Sequence, residues 1–188
     1  MATSTEHAIA CTLKPLLSDE QDYFSIFGLQ PSWEVDVAQL AERYRQLQQA
    51  VHPDRFMREC DRSQRLAQQQ AAQVNAAFNT LKSPLLRAQY LLEREGQAHA
   101  QERTVHDGAF LMAQIELRER LDDAAGDLSA LDQLTADVQQ QSRQYQHQFA
   151  DYWQKKDWSA AQSAVDKLQF ATKLLQEIEN RQELLLDE

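Results

Sequence analysis

The stretch LAERYRQLQQAVHPDRF, Leu40 to Phe56, decides how the N-terminal half is read. Val37, Leu40, Tyr44, Leu47 and Val51 recur at the spacing of one helical face. Asp36 stands just before them with Gln39 three residues on, the form of a capping box. The helix ends before Pro53, because proline disfavours helical geometry in the preceding residue. Taken alone, His52-Pro53-Asp54 is punctuation: a histidine suits the negative end of the helix dipole, and proline and aspartate open a turn.

The flanks give the tripeptide more weight. Upstream, DYFSIFGL (residues 22–29) is an apolar cluster closed by Gly28 and predicts a short helix or turn. Downstream, residues 53–62 are polar and charged and predict a loop. A second helix starts near Ser63, with Ala67, Ala71, Val74, Phe78 and Leu81 as its stripe, and stops at Pro84. LLRAQYLLERE makes one further short helix. Residues 21–95 therefore predict a helical hairpin with His-Pro-Asp at its tip.

Residues 96–108 carry two glycines and no apolar period, and predict a linker. Three longer helices follow, at about 109–124, 129–153 and 157–186, with Ser129/Asp132 and Asp157 as capping signals. Short connections make them antiparallel neighbours in a three-helix bundle spanning 109–188. The fold class is all-α. Residues 1–20 lack the basic start and apolar core of a secretory signal and the arginines of a presequence, and predict a flexible leader.

The net charge of -10 over 188 residues disfavours nucleic acid and anionic membranes. It is uneven: residues 21–95 hold nine acidic and nine basic side chains, whereas residues 96–188 hold seventeen and nine, so the halves suit different partners. No apolar run reaches membrane length. Cys11 and Cys60 lack zinc or disulfide spacing and predict reduced thiols, with no metal site or cofactor expected. A His52/Asp54 catalytic dyad is disfavoured, because no Ser or Cys nucleophile stands in that loop. The chain reads as a non-enzyme.

DGAFLMAQIELRERLDD (residues 107–123) holds a second feature. At about 100° per residue, Phe110, Ala113, Leu117, Leu121 and Ala124 share one face. Leu111, Met112, Ile115, Glu116 and Glu119 fall nearly opposite. Burial of both faces would bury two carboxylates, which is costly. An exposed apolar patch edged with acid, as at a binding surface, is the better reading. In the last helix, Trp158, Ala161, Val165, Leu168, Thr172, Leu175 and Ile178 form the core stripe. Phe170 lies off it, placed to join Leu111, Met112 and Ile115 or, alternatively, to pack on the N-terminal half.

The N-terminal layout resembles the J-domain, the co-chaperone module that docks on ATP-bound seventy-kilodalton heat-shock chaperones. The resemblance is carried by Tyr44-Arg45, His52-Pro53-Asp54, Asn75, Ala77-Phe78, Leu81, Ser83-Pro84, Arg87-Ala88 and Tyr90. It implies that His52, Pro53 and Asp54, with Arg43 and Arg45 on a solvated helix face, contact the chaperone and stimulate its ATPase. Gln49 and Ala50 stand where many J-domains place lysine, so the basic face is thin and a specialised partner is implied.

DYFSIFGL, HPDRF, SPLLRAQYLL and FLMAQIELRERLD together resemble the HscB family, J-type co-chaperones of iron–sulfur cluster assembly, over about residues 22–187. That resemblance implies an L-shaped, cytoplasmic protein. Its bundle would bind the IscU scaffold through Leu111, Met112, Ile115, Glu116, Glu119 and Phe170, and its J-domain an HscA-type chaperone. The cysteine pairs found ahead of the J-domain in some eukaryotic relatives are absent, which implies a bacterial type.

Overall fold

The computed structural model describes residues 22–51, 61–97 and 107–186, and among these the regular structure is helix throughout. The elements are α1 (Tyr23–Ile26), α2 (Val37–Val51), α3 (Asp61–Lys82), α4 (Pro84–Arg94), α5 (Gly108–Asp123), α6 (Leu128–Lys155) and α7 (Trp158–Leu186). Two compact units divide between Arg87 and Ala88, inside α4. The expected leader, the loop at 53–62 save its last two residues, both cysteines and most of the expected linker lie outside the described residues.

In the first unit Asp36 caps α2, accepting from the backbone N–H of Ala38 at 2.9 Å and of Gln39 at 3.1 Å. The α2 and α3 faces meet where Tyr44 stacks on Phe78, ring centroids 4.0 Å apart, and the Tyr44 hydroxyl donates to Asn75 Oδ1 at 2.9 Å. Gln48 Nε2 also donates to Asn75 Oδ1, at 3.2 Å. Such a ring pair contributes about 0.5–1.5 kcal/mol beyond the area it buries. α1 adds Phe24, Ile26 and Phe27 to the buried core with Leu40, Val51, Ala67, Val74, Ala77 and Leu81.

Two expected stripes shift. Val37 is exposed: Tyr44 faces residues 75–78, so a position two turns earlier on α2 overhangs the end of α3 at Lys82. On α3, Gln70 and Ala77 are buried and Ala71 and Phe78 only half so, because α3 packs on α1 as well as on α2.

Pro84 opens α4, where its missing N–H breaks no helical bond. Arg87 is buried beside it, its guanidinium 4.8 Å from the Trp33 ring centre and its Nη1 donating to Leu81 O at 3.1 Å.

The second unit is built on α6 and α7, an antiparallel pair joined at Lys156 and Asp157. Lys156 takes the left-handed conformation (φ 55°), its N–H donating to Trp153 O at 3.1 Å, and Asp157 caps α7 through Ala160 N at 3.1 Å. Leu131, Leu134 and Val138 of α6 and Ala171, Leu174 and Ile178 of α7 form the core, with Leu117, Leu121 and Ala124 from the α5 end. α7 therefore buries Ala171 and Leu174 where Thr172 and Leu175 were expected. It must face α5 and α6 together, and Thr172 turns outward with its hydroxyl donating to Leu168 O at 2.8 Å. The α6 cap is also not Ser129 but Asp127, which accepts from Ser129 N at 2.9 Å and Ala130 N at 3.2 Å.

Gly28 has φ +60°, and a Cβ there would lie 3.3 Å from Arg43 Nη1. The left-handed conformation is about 1–2 kcal/mol less favourable for an L side chain. Gly28→Ala is expected to lower stability by about that amount, read as a lower urea midpoint at unchanged m-value.

Candidate functional site

The positions singled out near the hairpin tip do not share one environment. His52, Pro53 and Asp54 lie outside the described residues. Arg45 is exposed on α2. Arg43 differs: it is half-buried, and its Nη1 donates to Phe27 O and, at 2.9 Å, to Gly28 O. The guanidinium thus ties α2 to the turn after α1. Hydrogen bonds from a charged donor contribute about 1.5–3 kcal/mol, so Arg43 is in large part a structural residue.

On α5 the two faces separate as expected, except that Ala113, expected in the core stripe, is only half-buried. Phe110, Leu117, Leu121 and Ala124 are buried, whereas Leu111, Met112 and Ile115 are 45%, 66% and 52% exposed. Glu116 and Glu119 are exposed in the same sector. These three apolar side chains therefore lie open to solvent with carboxylates beside them, the chemistry of a surface for an apolar, partly basic partner.

Phe170 is half-buried and reaches α5 through Phe110, the residue before Leu111: their rings meet edge to face at 5.8 Å. It also packs against the bundle core. Phe170 thus supports the first turn of α5 from beneath, through Phe110.

Polar clamps hold the other end of α5. Arg120 Nη2 meets Asp137 of α6 at 2.6 Å. Arg181 of α7 donates to Leu121 O at 2.7 Å and pairs with Asp122 at 2.8 Å. At the near end Asp107 caps α5, accepting from Phe110 N at 3.0 Å, and pairs with Lys167 of α7 at 2.8 Å. Sequence reasoning placed Asp107 and Gly108 in the linker and missed both the cap and its ion pair. An aspartate three residues before a buried phenylalanine was a legible cap signal; a lysine sixty residues away was not.

Among the described residues no group of three or more His, Cys, Asp or Glu is placed to hold a metal ion, and no helix is long and apolar enough to cross a membrane.

The sequence model described as the HSCB C-terminal oligomerisation domain matches residues 106–179. The chain is 42% identical over 173 residues to the co-chaperone protein HscB homolog of Pseudoalteromonas atlantica, covering 88% of this chain and 99% of that one. Among solved structures it is similar to chaperone HscB from Vibrio cholerae, with 37% identity, a TM-score of 0.77 and coverage of 88% and 99%. It is also similar to the human co-chaperone protein HscB, with 28% identity, a TM-score of 0.81 and coverage of 88% and 84%.

The Arg120 guanidinium holds the Asp137 carboxyl below the usual carboxylate range. A carboxyl with a depressed folded pKa stabilises the fold fully above its unfolded value, about 4, and loses that contribution as pH falls through the folded value. Asp137→Asn is therefore expected to lower stability at neutral pH and to flatten its fall between about pH 5 and pH 2, measured by urea unfolding across that range.

Proposed function

The chain belongs to the HscB family of co-chaperones, and on that premise we propose that it is a non-enzymatic adaptor between an iron–sulfur scaffold and a chaperone. The bundle binds the IscU scaffold through Leu111, Met112, Ile115, Glu116 and Glu119, with Phe170 beneath them. The tip residues His52, Pro53 and Asp54, with the exposed Arg45 and a smaller share from Arg43, engage an HscA-type chaperone and stimulate its ATPase. The setting is the cytoplasm.

The observation that supports this reading best is the open apolar triplet on α5, whose opposite face is already used by the core. A buried, well-packed centre with a polar rim is how such patches bind. Two sites on one chain raise the local concentration of scaffold at the chaperone without any new contact. The adaptor supplies no nucleophile. Its effect on hydrolysis is conformational: contact at the tip favours the chaperone state that hydrolyses faster.

The matched family description favours a second reading, in which another copy of this chain covers the triplet. Sedimentation separates the two: a dimer abolished by Leu111→Ala, with IscU binding unchanged, supports self-association.

Leu111→Ala is expected to weaken IscU binding by tenfold or more by calorimetry, since an exposed anchor can be truncated without touching the core. Phe170→Ala also weakens binding but lowers stability, because that ring packs on Phe110. Asp54→Asn is expected to abolish stimulation of the chaperone ATPase while IscU binding is retained. Scaffold and co-chaperone together stimulate more than the sum of each alone; additive stimulation would overturn the adaptor reading.

A further inference from the structure

α5 is anchored unevenly. Between Phe110 and Leu117 none of its residues is fully buried, and this interval carries the whole exposed triplet. Ala113 and Gln114 are half-buried there, so the triplet-bearing half is held chiefly by Phe110 and by whatever fixes the first turn. That turn opens with Gly108, which has no side chain to pack against the bundle, so it is held by its cap and by Phe110.

Asp107 compensates from both sides. One carboxylate oxygen accepts from Phe110 N at 3.0 Å and closes the first turn, and the other receives Lys167 Nζ at 2.8 Å. Lys167 also lies 5.5 Å from the Phe110 ring centre. That ring is held edge to face by Tyr145 of α6 at 6.4 Å and by Phe170 of α7 at 5.8 Å. Lys167 and Phe170 are one turn apart on the same strip of α7, so the ion pair sets how the start of α5 lies against that strip. It is better protected than an ordinary surface pair, with the lysine side chain 20% exposed and the aspartate 38%.

Resting on the scaffold-binding reading above, we propose that Asp107 and Lys167 are positioning residues for that surface: their ion pair sets the orientation of the first two turns of α5, and with it that of Leu111, Met112 and Ile115 relative to Phe170. The pair touches no partner. It acts by removing the rocking of a half-helix that the core grips chiefly at one ring, so a partner meets the triplet already arranged and loses less entropy on binding.

The test uses the full chain and purified IscU. Asp107→Asn keeps a capping oxygen but loses the charge, Lys167→Met keeps the stem but loses the charge, and Lys167→Arg keeps both charge and stem. Circular dichroism first establishes a temperature at which every variant is folded. There, Asp107→Asn and Lys167→Met are each expected to weaken IscU binding about threefold to fivefold. The double variant should lose no more than either alone, because the two residues act as one unit. Lys167→Arg should bind as the unchanged protein does. The Met112 methyl carbon signal, read without IscU, should shift or broaden in the two charge-removing variants and return in Lys167→Arg. Losses that add in the double variant overturn the proposal. So does unchanged binding in the charge-removing variants when Leu111→Ala is weakened tenfold, and then the scaffold-binding reading stands. If Leu111→Ala itself binds normally, the scaffold-binding reading fails and the positioning role falls with it.

Discussion

A helix laid against two others can give them only one face, and α5 is apolar on both. Phe110, Leu117, Leu121 and Ala124 go to the core with α6 and α7, which leaves Leu111, Met112 and Ile115 without cover. Turning the helix to bury the triplet would take four core residues out of the bundle and draw Glu116 and Glu119 inward. The carboxylates act as a ratchet on the orientation: they are cheap in water and expensive inside. An open apolar surface is thus the lower-energy arrangement of this sequence.

α6 and α7 make that arrangement possible by supplying a stiff platform. Their cores interlock along most of their length, and the turn between them is closed by caps at both sides, at Lys156 and at Asp157. α5 then needs only a few points of attachment. Arg120, Arg181 and Lys167 each cross to or from it, so cations hold both ends, beside the buried Phe110 at one end and Leu117 and Leu121 towards the other. In the first unit the same economy appears at Arg43, a basic residue whose charge serves the backbone carbonyls of Phe27 and Gly28.

Family membership and the open surface rest on independent grounds. Relatives named as HscB co-chaperones match nearly their whole length. The surface is a matter of burial alone, and it lies within the stretch that the family's C-terminal model covers.

Periodicity and capping in the sequence determined the helical class, the approximate span of each helix and the split of α5 into a core face and an open face. These are local: a 3.6-residue repeat and an Asp before an apolar run act within one or two turns. The resemblance of several short motifs added the family. Tertiary structure decided what depends on a neighbour. Val37 is bare because α3 has already ended, Ala171 and Leu174 are buried in place of Thr172 and Leu175 because α7 faces two helices, and Arg43 is half-buried because a turn fifteen residues earlier presents carbonyls to it. The Asp107–Lys167 pair is of the same kind. Its partners stand sixty residues apart, and a distance of 2.8 Å across that separation is a property of the packing of α5 on α7, not of any local pattern in the chain.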